Sequence, residues 1–331
     1  MDTRQTDTET VTALVAEAVA APSMHNAQPW RFRYLAGERT VLLLADTGRA
    51  MHRSDPEDRA LTIGCGAALL NLRAAAAHAG LTTGVRLLPD PGEPLLLASV
   101  RLGAAPRTAA DDDLARLRPA IPERHTSRHP FEERDVPEDV RAALRRAAAL
   151  EGAELMFPGA WHVETVLDLV HDAESRDALH PEGMEDLHRW TRLGPEAERA
   201  TDGVPEYAFG PRLRDGKAPL RDFAGRRPVA HRAGAAFEKH PHLALLSTPG
   251  DDRADWLSAG QALERVLLEA TLAGLATSLT SHALESRDLR LLARDPVGGR
   301  GHVQMVLRLG YGPRGAATPR RPVQDVLDIV E

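Results

Sequence analysis

DRALTIGCGAALLNLRAAAAHAGL, residues 58–81, and DRADWLSAGQALERVLLEATLAGL, residues 252–275, align without a gap and share 10 of 24 positions. Self-similarity is read before anything else, because missing it misreads the whole fold. Both stretches are long helix signals with small residues in register, Gly66 with Gly260, Ala68 with Ala262 and Ala79 with Ala273, and both stop at Gly-Leu, residues 80–81 and 274–275. A helix of this length spans roughly 36 Å, and one so rich in alanine is buried on most sides. Strand signals with a common ending follow: LLLASVRLG (95–103) and VQMVLRLGYG (303–312). The reading is therefore α+β, with two tandem halves forming a pseudo-dimer within one chain around a pair of long central helices.

Working outward, the first half covers residues 1–119. It opens with a helix from about Thr8 to Ala20 that carries Val11, Leu14, Val15 and Val19 on one face and ends before Pro22. Residues 31–35 and 40–45 read as strands around an Ala36-Gly37 turn, and Asp90-Pro91-Gly92 marks a further turn. The second half covers 120–331 and has a helix at Glu138–Leu150 in the place of the opening one. From about 177 to 243 it carries extra chain without a counterpart, rich in Pro, Gly, Arg and His. An insertion this long in a compact protein suggests a lid or binding loop.

Composition bounds the function. The chain has 331 residues, 43% hydrophobic and 27% charged, so it buries a sizeable core. Its net charge of −7 and sparse aromatics argue against nucleic acid as a partner. A single cysteine, Cys65, gives no disulfide and no thiolate metal site, which suits a reducing cytoplasm. The N-terminal stretch MDTRQTDTET lacks an apolar signal core and nothing approaches the ~20 uninterrupted apolar residues of a membrane span, so no membrane association is expected. Lys217 and Lys239 are the only lysines, hence arginine spacings carry little weight alone.

Familiar catalytic spacings are missing: there is no GxSxG, no GxxxxGK[ST] and no HExxH. Gly64-Cys65-Gly66 lies inside a helix and reads as helix packing rather than as a dinucleotide loop. The histidines nearest one another, His171, His180 and His188 or His240 and His242, have no ligand spacing, so no metal is expected. APSMHNAQPWRF (21–32) stands apart. Ser23, His25, Asn26 and Gln28, around Met24, set short donors and acceptors between a helix end and a strand, stiffened by Pro22 and Pro29; this suits gripping a planar ring, although local grounds alone favour a helix-to-strand turn whose Asn and Ser satisfy their own backbone.

That loop resembles the flavin-ring loop of the FMN-dependent nitroreductase superfamily. RHTSRHPF (124–131) is similar to the superfamily's arginine-rich phosphate motif, and YGPRGAATPRRPVQDVL (311–327) to its C-terminal end. The resemblance implies nitroreductase-like halves, with Arg124, Ser127, Arg128 and either Arg320 or Arg321 on the FMN phosphate. Ser23, Met24, His25, Asn26 and Gln28 would hold the ring, and Thr280 and Ser281 in GLATSLTSHALE (274–285) are further ring candidates. The first half has only Arg4 in place of a phosphate motif and the second lacks the ring loop, which implies one complete site.

The order HNAQPWRF, CGAALLNLR, LLPDP, RHTSRHPF is similar to the Acg-like branch over nearly the whole chain; His125 departs from it, standing where a second arginine is more usual. The resemblance implies hydride transfer from NAD(P)H to FMN and on to a small-molecule electron acceptor, a nitroaromatic or quinone. The flavin carries the chemistry, so no catalytic side chain is assigned. An alternative is an FMN-binding or sequestering protein whose 177–243 segment blocks turnover, with Trp190, Tyr207 and Phe209 as stacking residues; a flavin-free interaction module is the third. The pseudo-dimer predicts a functional monomer.

Overall fold

The computed structural model describes residues 3–179, 184–225, 227, 229, 232–294 and 301–331, with backbone alone at 3–6 and 177–179. The Arg4 side chain and His180 therefore lie outside the described residues.

In the first half, α1 (Thr3–Ala18) leads through the ring loop into β1 (Trp30–Leu35) and β2 (Thr40–Ala45). Then come α2 (Arg59–His78), β3 (Thr82–Leu87), β4 (Leu96–Gly103) and α3 (Ala109–Ala115). After the junction, α4 (Glu138–Ala149) and β5 (Glu154–Met156) open the second half, followed by α5 (Ala160–Leu179). The inserted chain holds α6 (Met184–Arg189), β6 (Thr191–Arg192), α7 (Pro195–Arg199), β7 (Val204–Pro205), β8 (Arg212–Asp215) and β9 (Gly234–Ala236). The half resumes with β10 (His242–Thr248), α8 (Arg253–Leu272), β11 (Ala276–Thr280), α9 (His282–Glu285), α10 (Arg287–Leu292), β12 (His302–Gly310) and β13 (Leu327–Val330).

The two main sheets share one strand order. The first runs β13-β1-β2-β4-β3 and the second β11-β12-β10-β5. Read from its other edge, the second repeats β1-β2-β4-β3 strand for strand, antiparallel throughout. Each long helix stands between the second and third strands of its half. Two differences from the sequence reading stand out. A strand at β3 and another at β11 intervene between each long helix and the expected one. β13 also crosses over to lie parallel to β1, so the last residues of the second half complete the first half's sheet.

Patterning explains the layers. WRFRYL in β1 alternates buried Trp30, Phe32 and Tyr34 with exposed Arg31 and Arg33, one face to the core and one to water. Burying each aromatic side chain removes enough apolar surface to stabilise the fold by roughly 2–3 kcal/mol. β10 and β12 are instead almost continuously buried, because α8 covers one face and α5, α9 and α10 the other.

At the centre α2 lies against α8, and of its residues only Arg73 and His78 escape burial. By length and composition α2 could cross a membrane; here it is enclosed by protein. Gly66 is a packing glycine, as its helical context predicts: a Cβ there would sit 3.0 Å from Gly260 Cα. The shared Asp-Arg-Ala openings differ in use. Asp252 caps α8 in a box with Asp255, whereas at α2 the carboxylate of Asp55 accepts from the N–H groups of Ala60 and Leu61, both at 2.9 Å.

Candidate functional site

The ring loop is held in an unusual backbone. His25, Asn26 and Gln28 have φ of 49°, 56° and 53°, left-handed values that a non-glycine residue keeps only when its surroundings enforce them. Side-chain amides supply that enforcement. Asn26 Nδ2 donates to the carbonyls of Gly203 (2.9 Å) and Pro319 (3.0 Å), and its Oδ1 accepts from Arg320 Nη1 at 3.0 Å. Gln28 Nε2 donates to Thr201 O at 2.9 Å while its Oε1 accepts from Arg321 N–H at 2.8 Å. Ser23 Oγ accepts from Gln28 N–H at 2.9 Å.

RHTSRHPF is pinned to the second sheet beside this loop. Ser127 N–H donates to Thr277 O and Ser127 Oγ to Pro313 O, each at 2.7 Å. A few residues on, the buried Arg308–Glu238 pair fixes the chain: Arg308 lies 3.6 Å from the Phe131 ring centre, and Glu238 Oε2 accepts from Phe131 N–H at 3.0 Å.

These stretches meet around one cavity of about 120 Å³. Ser23, Met24, His25 and Asn26 form one side, Arg124, His125, Thr126 and Arg128 another, and Arg320 closes the end. Ala60, Ile63 and Gly64 of α2, Leu263 of α8 and Met305 of β12 make an apolar floor; Ser278 to His282 complete the wall. Nine of the twelve candidate residues thus line a single space. Gln28, Ser127 and Arg321 do not: their polar groups face backbone behind the wall, and Arg321 Nη1 lies 3.4 Å from Asp46.

The inserted chain also reaches the cavity, through Val204, Leu220, Arg221 and Phe223. This corrects the choice of stacking residues. Trp190 packs instead with Ala27 and Met51, Tyr207 is 55% exposed, and Phe209 stacks behind Phe223 at 6.1 Å. Only aromatic type pointed to those three, whereas Phe223 lies in a stretch without periodicity. Phe223 is sandwiched differently, edge-on to His25 at 5.3 Å and under the Arg128 guanidinium at 4.8 Å.

The wall is cationic. Burial lowers Arg128 to about 10 and, aided by Arg124 and opposed by Glu264, Arg320 to about 9, so both remain charged at neutral pH. Glu264, fully buried on α8, lies 3.5 Å from Arg124 Nε. Burial raises the Glu264 carboxyl and Arg124 opposes the rise. Burial, Arg124 and Arg320 all lower His125, placing it beside both guanidinium groups. His25 is lowered well below its ordinary value by burial and then by Arg221, Arg128 and His282. Cys65 is buried and its thiol pushed up, an inert packing residue.

Residues 121–311 match the family described as the Nitroreductase family. The chain is 32% identical to "Putative NAD(P)H nitroreductase acg" of Mycobacterium tuberculosis, across 97% of this chain and 96% of that protein. The chain belongs to the nitroreductase family. A second relative from the same organism, "Uncharacterized protein Rv3127", is 34% identical over 94% of this chain and 91% of its own. Among solved structures, a BluB-like flavoprotein from Clostridium difficile is similar at 15% identity and a TM-score of 0.42, covering 65% of this chain and 99% of that one.

For a member of the nitroreductase family, the donor set can be tested against a flavin mononucleotide. The phosphate end needs cationic N–H donors, and Arg124 and Arg320 line the cavity, with the Glu264 carboxyl behind Arg124 rather than in the lining. Arg320 Nε is buried with no hydrogen-bond partner among the described residues, whereas Arg124 Nε faces Glu264 at 3.5 Å. A flat ring needs an apolar floor with polar edges, which Ile63, Leu263 and Met305 beside the ring loop provide. The residues present fit the group.

Proposed function

We propose that this nitroreductase-family chain is an FMN-dependent oxidoreductase that takes hydride from NAD(P)H and passes the electrons to a nitroaromatic or quinone-type acceptor. One observation carries the reading: the ring loop, Arg124 and Arg320, far apart in sequence, line the same cavity. The name of the mycobacterial relative, "Putative NAD(P)H nitroreductase acg", supports the same donor. When bound, FMN supplies the hydride-accepting and hydride-returning chemistry.

The chain's own residues then do the following. Arg124 and Arg320 present N–H donors to the phosphate, and Glu264 behind Arg124 keeps the cluster from holding two uncompensated buried cations. Arg128, expected at the phosphate, lies instead over Phe223 and acts on His25 of the ring loop, where its charge would favour a ring that gains negative charge on reduction. Asn26 ties the ring loop to Arg320 directly, so the ring and phosphate ends are positioned together. The apolar floor of Ile63, Leu263 and Met305 would keep water from the face of a ring laid on it.

A second reading is FMN sequestration without turnover. It is favoured by Val204, Leu220, Arg221 and Phe223, which close over the cavity, and by the Asn26 and Gln28 amides, which grip residues 201–203. Anaerobic NAD(P)H added to the FMN-loaded protein separates the two: bleaching supports the reductase, persistent oxidised flavin the sequestering form. The common strand order of the halves supports an origin by internal duplication and a functional monomer. A flavin-free module has the weakest support, since it has no use for buried arginines in the wall.

A further inference from the structure

Arg221 joins the inserted chain to the ring loop in a way that depends on protonation. Its Nη1 lies 2.8 Å from His25 Nε2, and an arginine only donates, so His25 accepts there as a neutral ring with its proton on Nδ1. Arg221 is aimed independently of His25. Its Nη2 donates to both carboxylate oxygens of Glu285 on α9, at 2.7 and 2.8 Å, and both side chains are largely buried. A proton on His25 Nε2 would set N–H against N–H among cations. We propose that the Arg221–His25 hydrogen bond is a proton-released latch that holds residues 201–223 over the cavity.

The groups facing this contact are few. Arg128 of the phosphate motif and His282 of α9 also face His25, and both disfavour its protonation. The nearby carboxylates are committed or distant from the ring. Glu285 holds Arg221 and accepts from Ser281 Oγ at 3.0 Å, Asp222 pairs with Arg232, and Glu174 on α5 acts on His282 and Arg221. Burial raises the Glu174 carboxyl, making it a second group whose protonation can change as the pH falls. Other ties between the segment and the cavity rim do not titrate near neutrality: the Asn26 and Gln28 amides, the Thr280 hydroxyl on Pro219 O, and Arg128 Nη1 on Ala208 O at 3.0 Å.

The sign follows from linkage. His25 is harder to protonate closed than open, so closure is fully stable above the open-state value of about 6.5 and weakens as pH falls below it. Because the latch covers the proposed cofactor cavity, it rests on that reading for its consequence, faster access in mild acid.

The test is hydrogen exchange of residues 201–223 in the full-length, cofactor-free chain from pH 7.5 to 5.0, corrected for intrinsic rates. The latch predicts that the opening equilibrium rises roughly thirtyfold across that range, the shift that a group with an open-state value of about 6.5 delivers. His25→Gln keeps an acceptor that does not titrate and should flatten the profile with the segment closed. Arg221→Leu should flatten it with the segment open. An unchanged profile in His25→Gln assigns the effect to another group, Glu174 or His282, and overturns the proposal, as does pH-independent protection in the unaltered chain. The FMN association rate should follow the same profile. A flat rate beside pH-dependent exchange would leave the latch standing and contradict the cavity as the cofactor's entrance.

Discussion

Gly66 and Gly260 face each other where α2 meets α8: a Cβ on Gly260 would lie 2.8 Å from Gly66 Cα. No rotamer change relieves a clash with backbone, so the helices must separate. Gly260→Ala should destabilise the chain by roughly 1–3 kcal/mol, the usual cost of overpacking a core, read as a lower denaturant midpoint. A neutral Gly260→Ala would mean that the halves tolerate sliding at this crossing.

Arg124 and Glu264 are coupled, and the coupling separates fold from binding. Arg124→Ala should leave Glu264 fully buried without its closest cation and cost about 3–5 kcal/mol of stability, besides losing FMN. Adding Glu264→Gln should restore most of the stability but not FMN affinity. Recovery of both in the double variant would show that Arg124 is structural only.

Gln28 sits behind the cavity wall as a brace. Gln28→Ala removes the acceptor of Arg321 N–H and the donor to Thr201 O, so it should cost about 1–3 kcal/mol. It should also speed proteolysis near residues 201–203 more than elsewhere. Uniform sensitivity along the chain would assign Gln28 to global stability.

Much of this was legible. The paired helices could be read because glycine at a close helix crossing and alanine on a fully buried surface leave a sequence trace, and the ring loop because its polar residues are confined between two prolines. Other features leave no such trace. β3 is half-exposed and β11 short, so neither shows a clean period. The crossing of β13 to the first sheet is a long-range pairing without a local signal. Arg221 and Phe223 reach the cavity from an aperiodic stretch, and only the fold brings them to His25. Motif positions also do not reveal direction: the family resemblance makes Ser127 and Gln28 look like ligand contacts, yet both spend their polar atoms on backbone.

The proposal that the two halves serve as each other's partner, which the shared strand order and the α2–α8 contact support, makes a second chain unnecessary. Light scattering on the eluted protein should therefore return 35.9 kDa. A species of twice that mass, stable on dilution, would show that a second chain is needed.

The most direct test is the visible spectrum of the protein reconstituted with FMN, followed anaerobically by NADPH or NADH in the same cuvette. The account predicts a protein-bound flavin band that bleaches on addition of reductant and returns with a nitroaromatic or quinone. A band that stays oxidised would favour sequestration. No bound flavin at all would contradict the central claim that the ring loop, Arg124 and Arg320 form a cofactor site.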